Sequence, residues 1–258
     1  MHPPPTRTAA TPLPPGPAPR HGSAAARDAT TATGYLHQTY WWAYADPRAL
    51  RLFERQWLVN AILFGRYRRL CDAALAALAG DGEAGPVAAT AALPGRTLQV
   101  ACVYGDLTVR LQQRLAADAR LDVVDALPAQ IANLAAKLPA DARVHLAHGD
   151  AAALPFADAS VERVLMFFLL HEMPEPVRRQ TLSEAMRVLK PGGRMVIVDY
   201  HRPVKLHPLR PLMRQVFRHL EPYAMDLWGH EVESFLPAGM APVAIEKKTY
   251  FGGLYQKV

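Results

Sequence analysis

The chain has 258 residues, half of them hydrophobic and a fifth charged, which suffices for one globular domain with appendages and excludes disorder throughout. Lys and Arg number 29 against 23 Asp and Glu, a net charge of +6, so anionic partners are favoured, but the balance is too mild to make a case for nucleic acid. Two cysteines, Cys71 and Cys102, exclude a disulfide scaffold or a cysteine zinc site, and the longest apolar run, 164–170, falls far short of the roughly 20 residues that cross a bilayer.

Residues 1–33 are Pro, Ala and Thr with almost nothing large and apolar. Such a segment cannot bury enough surface to offset chain entropy and is expected to be a disordered tail. Its Arg7, Arg20 and Arg27 precede the first acid, Asp28, as in an organellar presequence, although eight prolines between positions 3 and 19 oppose an amphipathic helix.

Residues 34–95 are expected to form a helical cap and linker. Tyr35, Tyr40, Trp41, Trp42 and Tyr44 lead to Asp46-Pro47, an N-cap with proline at the first helical position. Leu50, Phe53, Trp57, Leu58, Ile62 and Phe64 then recur near helical period, with Arg48, Arg51, Glu54 and Arg55 outside the stripe. A second helix is predicted over 66–79, and the glycines and prolines of 80–95 read as a linker.

From 96 to 258 short apolar runs alternate with helical patterns. Strands are predicted at 97–103, 121–125, 143–147, 161–167 and 194–200, and helices at 107–117, 128–138 and 174–189. Such alternation means an α/β fold with a parallel sheet covered on both faces and ligands beyond the carboxyl ends of its strands. A helical insertion is expected at 206–237, and 242–248 and 250–257, around Gly252-Gly253, are expected to add two last strands.

Several features follow one another in a known order. Leu98-Gln99-Val100-Ala101-Cys102-Val103-Tyr104-Gly105-Asp106 is a strand running into a turn, and Asp125, twenty residues beyond Gly105, ends the second strand, where a carboxylate can take both ribose hydroxyls. Gly149-Asp150-Ala151, then Leu154-Pro155-Phe156, and later Leu189-Lys190-Pro191-Gly192-Gly193, complete the series. In these the chain resembles the class I S-adenosyl-L-methionine-dependent methyltransferases, and within them the branch that methylates quinones. The resemblance implies a Rossmann-like fold with a seven-stranded, mostly parallel sheet. It also implies a site for S-adenosyl-L-methionine at Val103, Tyr104, Gly105, Asp106, Asp125, Ala126, Asp150, Ala151 and Phe168.

The turn departs from that family. Ala101 and Val103 stand in place of its first two glycines, Gln99 in place of its acid, and Tyr104 adds a ring. Glycine there lets the backbone approach the ligand, so the methionyl end must lie differently or be held by other groups. An altered reaction and a decayed, non-catalytic relative both fit this pattern.

Taken with Tyr40-Trp41-Trp42-Ala43-Tyr44, Phe53-Glu54-Arg55-Gln56-Trp57-Leu58-Val59-Asn60, Phe167-Phe168-Leu169-Leu170-His171-Glu172, Asp199-Tyr200-His201-Arg202-Pro203 and Asp226-Leu227-Trp228, the stretch 35–258 is similar to the rhodoquinone-biosynthesis protein family. That resemblance implies conversion of ubiquinone to rhodoquinone: a ring methoxy group is replaced by an amino group whose nitrogen comes from S-adenosyl-L-methionine, with Mn²⁺ assisting. A hard cation would need oxygen or nitrogen ligands near the turn, and His171, His201, His230 and Glu231 are the candidates. Tyr104, His201 and His171 are the expected catalytic residues, and Asp199 is expected to lie deeper on the same side of its strand as His201. An ordinary quinone or phenol methyltransferase and a non-catalytic cofactor- or lipid-binding protein stand as alternatives. His171 could equally line an acceptor pocket without metal, and Tyr104 could fill the space the glycines leave.

A lipid quinone as substrate implies peripheral contact with an anionic membrane, through Arg48, Arg51 and Arg55. The expected place is the inner face of the cytoplasmic membrane, or the mitochondrial matrix if the tail is a presequence. Leu206, Leu209, Leu212, Met213, Val216, Phe217 and Leu220 are candidate contacts for an isoprenoid tail, although they also have the spacing of a core helix. Nothing in the pattern bears on oligomeric state.

Overall fold

The computed structural model describes residues 53–80, 92–239 and 242–258. The predicted tail, the aromatic cluster from Tyr35 to Tyr44, the Asp46-Pro47 cap, Arg48, Arg51 and most of the linker lie outside the described residues.

The described chain begins with two helices, α1 (Gln56–Ile62) and α2 (Tyr67–Ala79). Gly80 ends α2 in the left-handed conformation at φ +90°, which glycine adopts without steric cost. An alternating series follows: β1 (Arg96–Val100), α3 (Leu107–Gln112), β2 (Arg120–Asp125), α4 (Pro128–Lys137), β3 (Val144–His148), β4 (Val161–Phe167), α5 (Glu175–Val188) and β5 (Leu189–Tyr200). A one-turn 3₁₀ segment, Leu170–Glu172, lies between β4 and α5. The insertion folds as α6 (Arg210–His219), α7 (Pro222–Leu227) and a 3₁₀ turn at Val232–Phe235; β6 (Lys248–Tyr250) and β7 (Tyr255–Lys257) close the chain.

The sheet runs β3-β2-β1-β4-β5-β7-β6. Its first five strands are parallel, and β7 pairs antiparallel with both β5 and β6. This is the Rossmann-like methyltransferase sheet that the sequence implied. Both faces are buried, as the near-continuous apolar runs required. In β4, Leu165 and Phe167 enter the cluster under α1, α2 and α3, while Val164 and Met166 enter the one under α5.

Several boundaries differ from expectation, among them β5, which starts at Leu189 rather than at 194, and β7, which takes only Tyr255–Lys257 of the expected 250–257. β1 stops at Val100 because Ala101 turns to φ +71°. α3 stops at Gln112 because the next backbone groups are taken by the incoming linker: Leu93 N–H donates to Arg114 O, and Ala116 N–H donates to Leu93 O. Positions 242–247 form no strand, and β6 starts only at Lys248.

Candidate functional site

Two adjoining cavities open beyond the carboxyl ends of the parallel strands. The smaller, about 70 Å³, lies past β1, β2 and β3 and includes Ala101, Asp125, Ala126, Asp150 and Ala151 among its lining residues. The larger, about 180 Å³, is walled mainly by apolar and aromatic side chains, including Val59, Ile62, Tyr104, Phe168 and Tyr200. Cys102, Phe168 and Glu172 line both.

Asp125 forms the polar floor of the smaller cavity. One carboxylate oxygen accepts Cys102 N–H at 2.7 Å and the other accepts Leu127 N–H at 2.8 Å. Burial raises its pKa while these two donors pull the other way. The Cys102 thiol is a third donor to this carboxylate, and of about four lone-pair sites one is left for a ligand. A buried acceptor, a second carboxylate at Asp150 and small side chains with apolar Leu127, Leu169 and Met173 around them suit a nucleoside: hydroxyls on the acid, a flat base between apolar walls. The donor set therefore fits S-adenosyl-L-methionine, with Asp125, Ala126, Asp150, Ala151 and Phe168 as its expected holders.

The turn after β1 takes a positive φ at two positions, Ala101 and Gly105, of which only the second is glycine. Ala101 sits at φ +71°, a region that costs a non-glycine residue about 1–2 kcal/mol. Gln99 explains the missing acid: its amide nitrogen donates to Ala101 O at 3.0 Å, and its amide oxygen accepts from the Thr108 hydroxyl at 3.1 Å. An ionised carboxylate could not make the first of these bonds. Gly105 is required. It has φ +85°, and a Cβ there would meet the Tyr67 hydroxyl at 2.5 Å. That hydroxyl accepts Asp106 N–H at 2.8 Å and Leu107 N–H at 3.0 Å, so a tyrosine from α2 caps α3 from a distance. Lys137, in the last turn of α4, donates to Val103 O at 3.0 Å and Gly105 O at 2.9 Å while pairing with Glu54 at 2.7 Å.

These contacts divide the expected cofactor residues. Val103 and Tyr104 line the larger cavity, and Gly105 and Asp106 line neither. The Tyr104 ring stacks on Phe53 at 5.6 Å, its hydroxyl accepts from Gln130 at 3.0 Å, and burial pushes the phenol up, so it stays neutral. It is one wall of the larger cavity.

His171 lines the larger cavity, with Nδ1 2.8 Å from Asp199 Oδ1. Asp199 is fully buried and also accepts Leu170 N–H at 2.8 Å and Tyr200 N–H at 2.7 Å. Burial opposes a charged ring at His171, but the adjacent Asp199 carboxylate outweighs it and pushes the pKa up to about 9. At neutral pH His171 is a cation whose Nε2–H is left for a ligand. Beneath it Arg178, fully buried in α5, donates to Leu170 O, Met173 O and Tyr223 O and pairs with Asp226 at 2.6 Å. It thereby fixes the His171 turn to α7.

The expected cation ligands do not come together. His201 lines neither cavity: its Nδ1–H donates to Gly253 O at 2.8 Å, and Nε2 lies 3.8 Å from Glu231. His230 is exposed and donates to Asp226 O, while Glu231 is paired with Lys247. Among the described residues no three His, Cys, Asp or Glu side chains form a group able to hold a metal. The residues named for Mn²⁺ thus do not fit it, and at the end of β5 it is Tyr200, not His201, that lines the larger cavity. The expected tail contacts are also divided: Met213 and Phe217 are core, Leu206, Leu212 and Leu220 are exposed, and none of the seven lines the cavity.

Sequence reading missed Tyr67, Gln130, Lys137 and Arg178. Each acts across a long sequence separation, and only the position of Lys137 at a helix end hinted at carbonyl partners.

Residues 97–193 match a family described as a methyltransferase domain. Demethylmenaquinone methyltransferase of Staphylococcus haemolyticus is 30% identical over 134 residues, 52% of this chain and 53% of that protein. The Clavibacter sepedonicus enzyme of the same name is 46% identical over 67 residues, 26% of each chain. Among solved structures, a SAM-dependent methyltransferase of Methanosarcina mazei aligns with a TM-score of 0.43 at 17% identity, covering 56% of this chain and 68% of that one. The chain spans about half the length of the curated relatives it matches, or less. Residues 97–193 are thus similar to a methyltransferase domain, and part of the chain is similar to demethylmenaquinone methyltransferases.

Proposed function

We propose that the protein transfers a group from S-adenosyl-L-methionine to the ring of a lipid quinone, and that the group is the amino group, so that ubiquinone becomes rhodoquinone. One observation carries the reading: an acid-floored cavity suited to a nucleoside shares Cys102, Phe168 and Glu172 with an aromatic cavity large enough to take a ring. S-adenosyl-L-methionine supplies both an electrophilic methyl group and a nucleophilic amine. The side chains around the shared wall decide which one meets the acceptor.

Val103 and Tyr104 favour the amine. They add bulk on the acceptor side of the turn, where the family has small residues, and so press on the methionyl end. His171 takes the part the sequence reading gave to a cation. Held by Asp199, its Nε2–H can donate to a quinone carbonyl and draw electron density from the ring. The ring carbon bearing the methoxy group then gains the nitrogen, and methanol leaves with a proton from that nitrogen. Rhodoquinone is released when the bond from the nitrogen to the methionyl Cα breaks, the nitrogen gaining a proton and the adjacent Cβ losing one to leave an unsaturated carboxylate.

Methyl transfer is the second reading. It is favoured by the positive φ of Ala101, a conformation suited to glycine, and by the activity for which the Staphylococcus and Clavibacter relatives are named. The two separate in one experiment. Purified protein is incubated with S-adenosyl-L-methionine labelled at both the α-nitrogen and the methyl carbon, together with detergent-dispersed ubiquinone and demethylmenaquinone, the second of which has the open ring carbon that methyl transfer needs. Nitrogen label in the quinone is the expected result; methyl label establishes the second reading; an unlabelled quinone with cofactor binding intact refutes both.

A further inference from the structure

Two stretches of this chain carry basic charge without any acid. Residues 55–71 contain Arg55, Arg66, Arg68 and Arg69, and residues 201–220 contain Arg202, Lys205, Arg210, Arg214 and Arg218, with no Asp or Glu in either. Each also exposes large apolar side chains. Trp57 is 62% exposed and Ile62 42% in the first; Val204 is 59% exposed and Leu206 94% in the second. Isolated exposed apolar residues need no explanation, but a group of them within a basic field does.

The two stretches meet at Phe251. Its ring lies under the Arg66 guanidinium at 4.6 Å, 6.1 Å from the Phe64 ring and 5.1 Å from His207, and Val204 N–H donates to Gly252 O at 2.9 Å. They thus form one continuous surface. Ile62 belongs to it and also lines the larger cavity, so the cavity opens onto this surface.

We infer that this rim is a docking surface for an anionic phospholipid bilayer, with the 204–206 loop and Trp57 entering the interface and the surrounding Lys and Arg meeting the headgroups. Charge selects this partner: each basic side chain near such a surface contributes about a fivefold gain in partitioning, and tryptophan is at home where water meets hydrocarbon. The inference rests on the lipid-quinone reading for its purpose, since an acceptor could then pass from bilayer to cavity without entering water. It does not rest on that reading for its test.

The test is sedimentation of the full chain with phosphatidylcholine vesicles, with and without phosphatidylglycerol, in the absence of cofactor and quinone. Binding is expected only with phosphatidylglycerol, with release at high salt. Val204→Glu combined with Leu206→Glu should reduce the bound fraction about tenfold or more while leaving the unfolding temperature and S-adenosyl-L-methionine affinity unchanged. No vesicle binding, binding indifferent to lipid charge, or wild-type binding by the double variant overturns the inference. So does a concentration-dependent dimer that the double variant dissociates, because a second copy would then be the occupant. Vesicle binding without label transfer from S-adenosyl-L-methionine would refute the catalytic reading alone.

Discussion

Asp199 Oδ1 lies 2.8 Å from His171 Nδ1, and neither residue is more than 5% exposed. The carboxylate is itself held by three backbone N–H groups, those of Leu170, His171 and Tyr200, so the imidazole is oriented by a partner that cannot turn. The pair stabilises the fold more while His171 carries its proton than after it has lost it.

The pH dependence follows. His171 titrates near 6.5 when unfolded and near 9 when folded. Its contribution is therefore complete below about pH 6.5 and is lost as pH rises through 9, up to about 3 kcal/mol. Urea unfolding across that range should show stability declining with pH, and His171→Gln should flatten the decline. An equally steep profile in the variant would mean that other groups govern it.

Gly105 and Tyr67 form a second coupled pair. Gly105→Ala drives a methyl group into the Tyr67 hydroxyl from a left-handed backbone and should cost about 2–4 kcal/mol. Tyr67→Phe leaves two N–H groups at the start of α3 without their acceptor and should cost about 1–2 kcal/mol. Combined, the two changes should cost less than their sum, because phenylalanine removes the atom that alanine strikes. Full additivity in denaturant unfolding would contradict the capping role.

Ala101→Gly runs the other way. Relieving φ +71° outweighs the extra freedom glycine gives the unfolded chain, for a net gain of about 1 kcal/mol or less. Thermal unfolding measures it. A loss of stability would mean that the Ala101 methyl packs better than its strain suggests.

Arg178→Met should be among the most damaging single changes, costing about 3 kcal/mol. It takes the guanidinium donor from Met173 O, leaves Leu170 O with only the Met173 N–H, and removes the partner of Asp226. Transferase activity should fall more steeply than stability alone accounts for, because His171 loses its footing. Unchanged turnover in folded Arg178→Met protein would detach that support from the chemistry.

Much of this was legible in sequence because the signals are local. The run 161–167 is β4 to the residue, and Asp125 and Asp150 stand in the smaller cavity because each follows a strand end at a spacing the chain itself displays. What was not legible depends on distance. Nothing near Tyr67 announces that its hydroxyl reaches residues 106 and 107, and nothing near Arg178 names Tyr223 or Asp226 as partners. His201 was misread for a related reason. A carboxyl-terminal strand position gathers binding groups, but side chains alternate, so Tyr200 faces the cavity while His201 turns to Gly253. Asp199 was correctly placed deep. What alternation could not supply was the 3₁₀ turn that carries His171 back over it.

The most direct measurement is a crystal structure of the protein with S-adenosyl-L-methionine and a short-chain ubiquinone bound together. The ribose hydroxyls should lie on Asp125, the quinone ring between Tyr104 and His171, and the α-amine nearer the ring than the sulfonium methyl. A methyl group aimed at the ring, with the amine turned away from it, would contradict amino transfer.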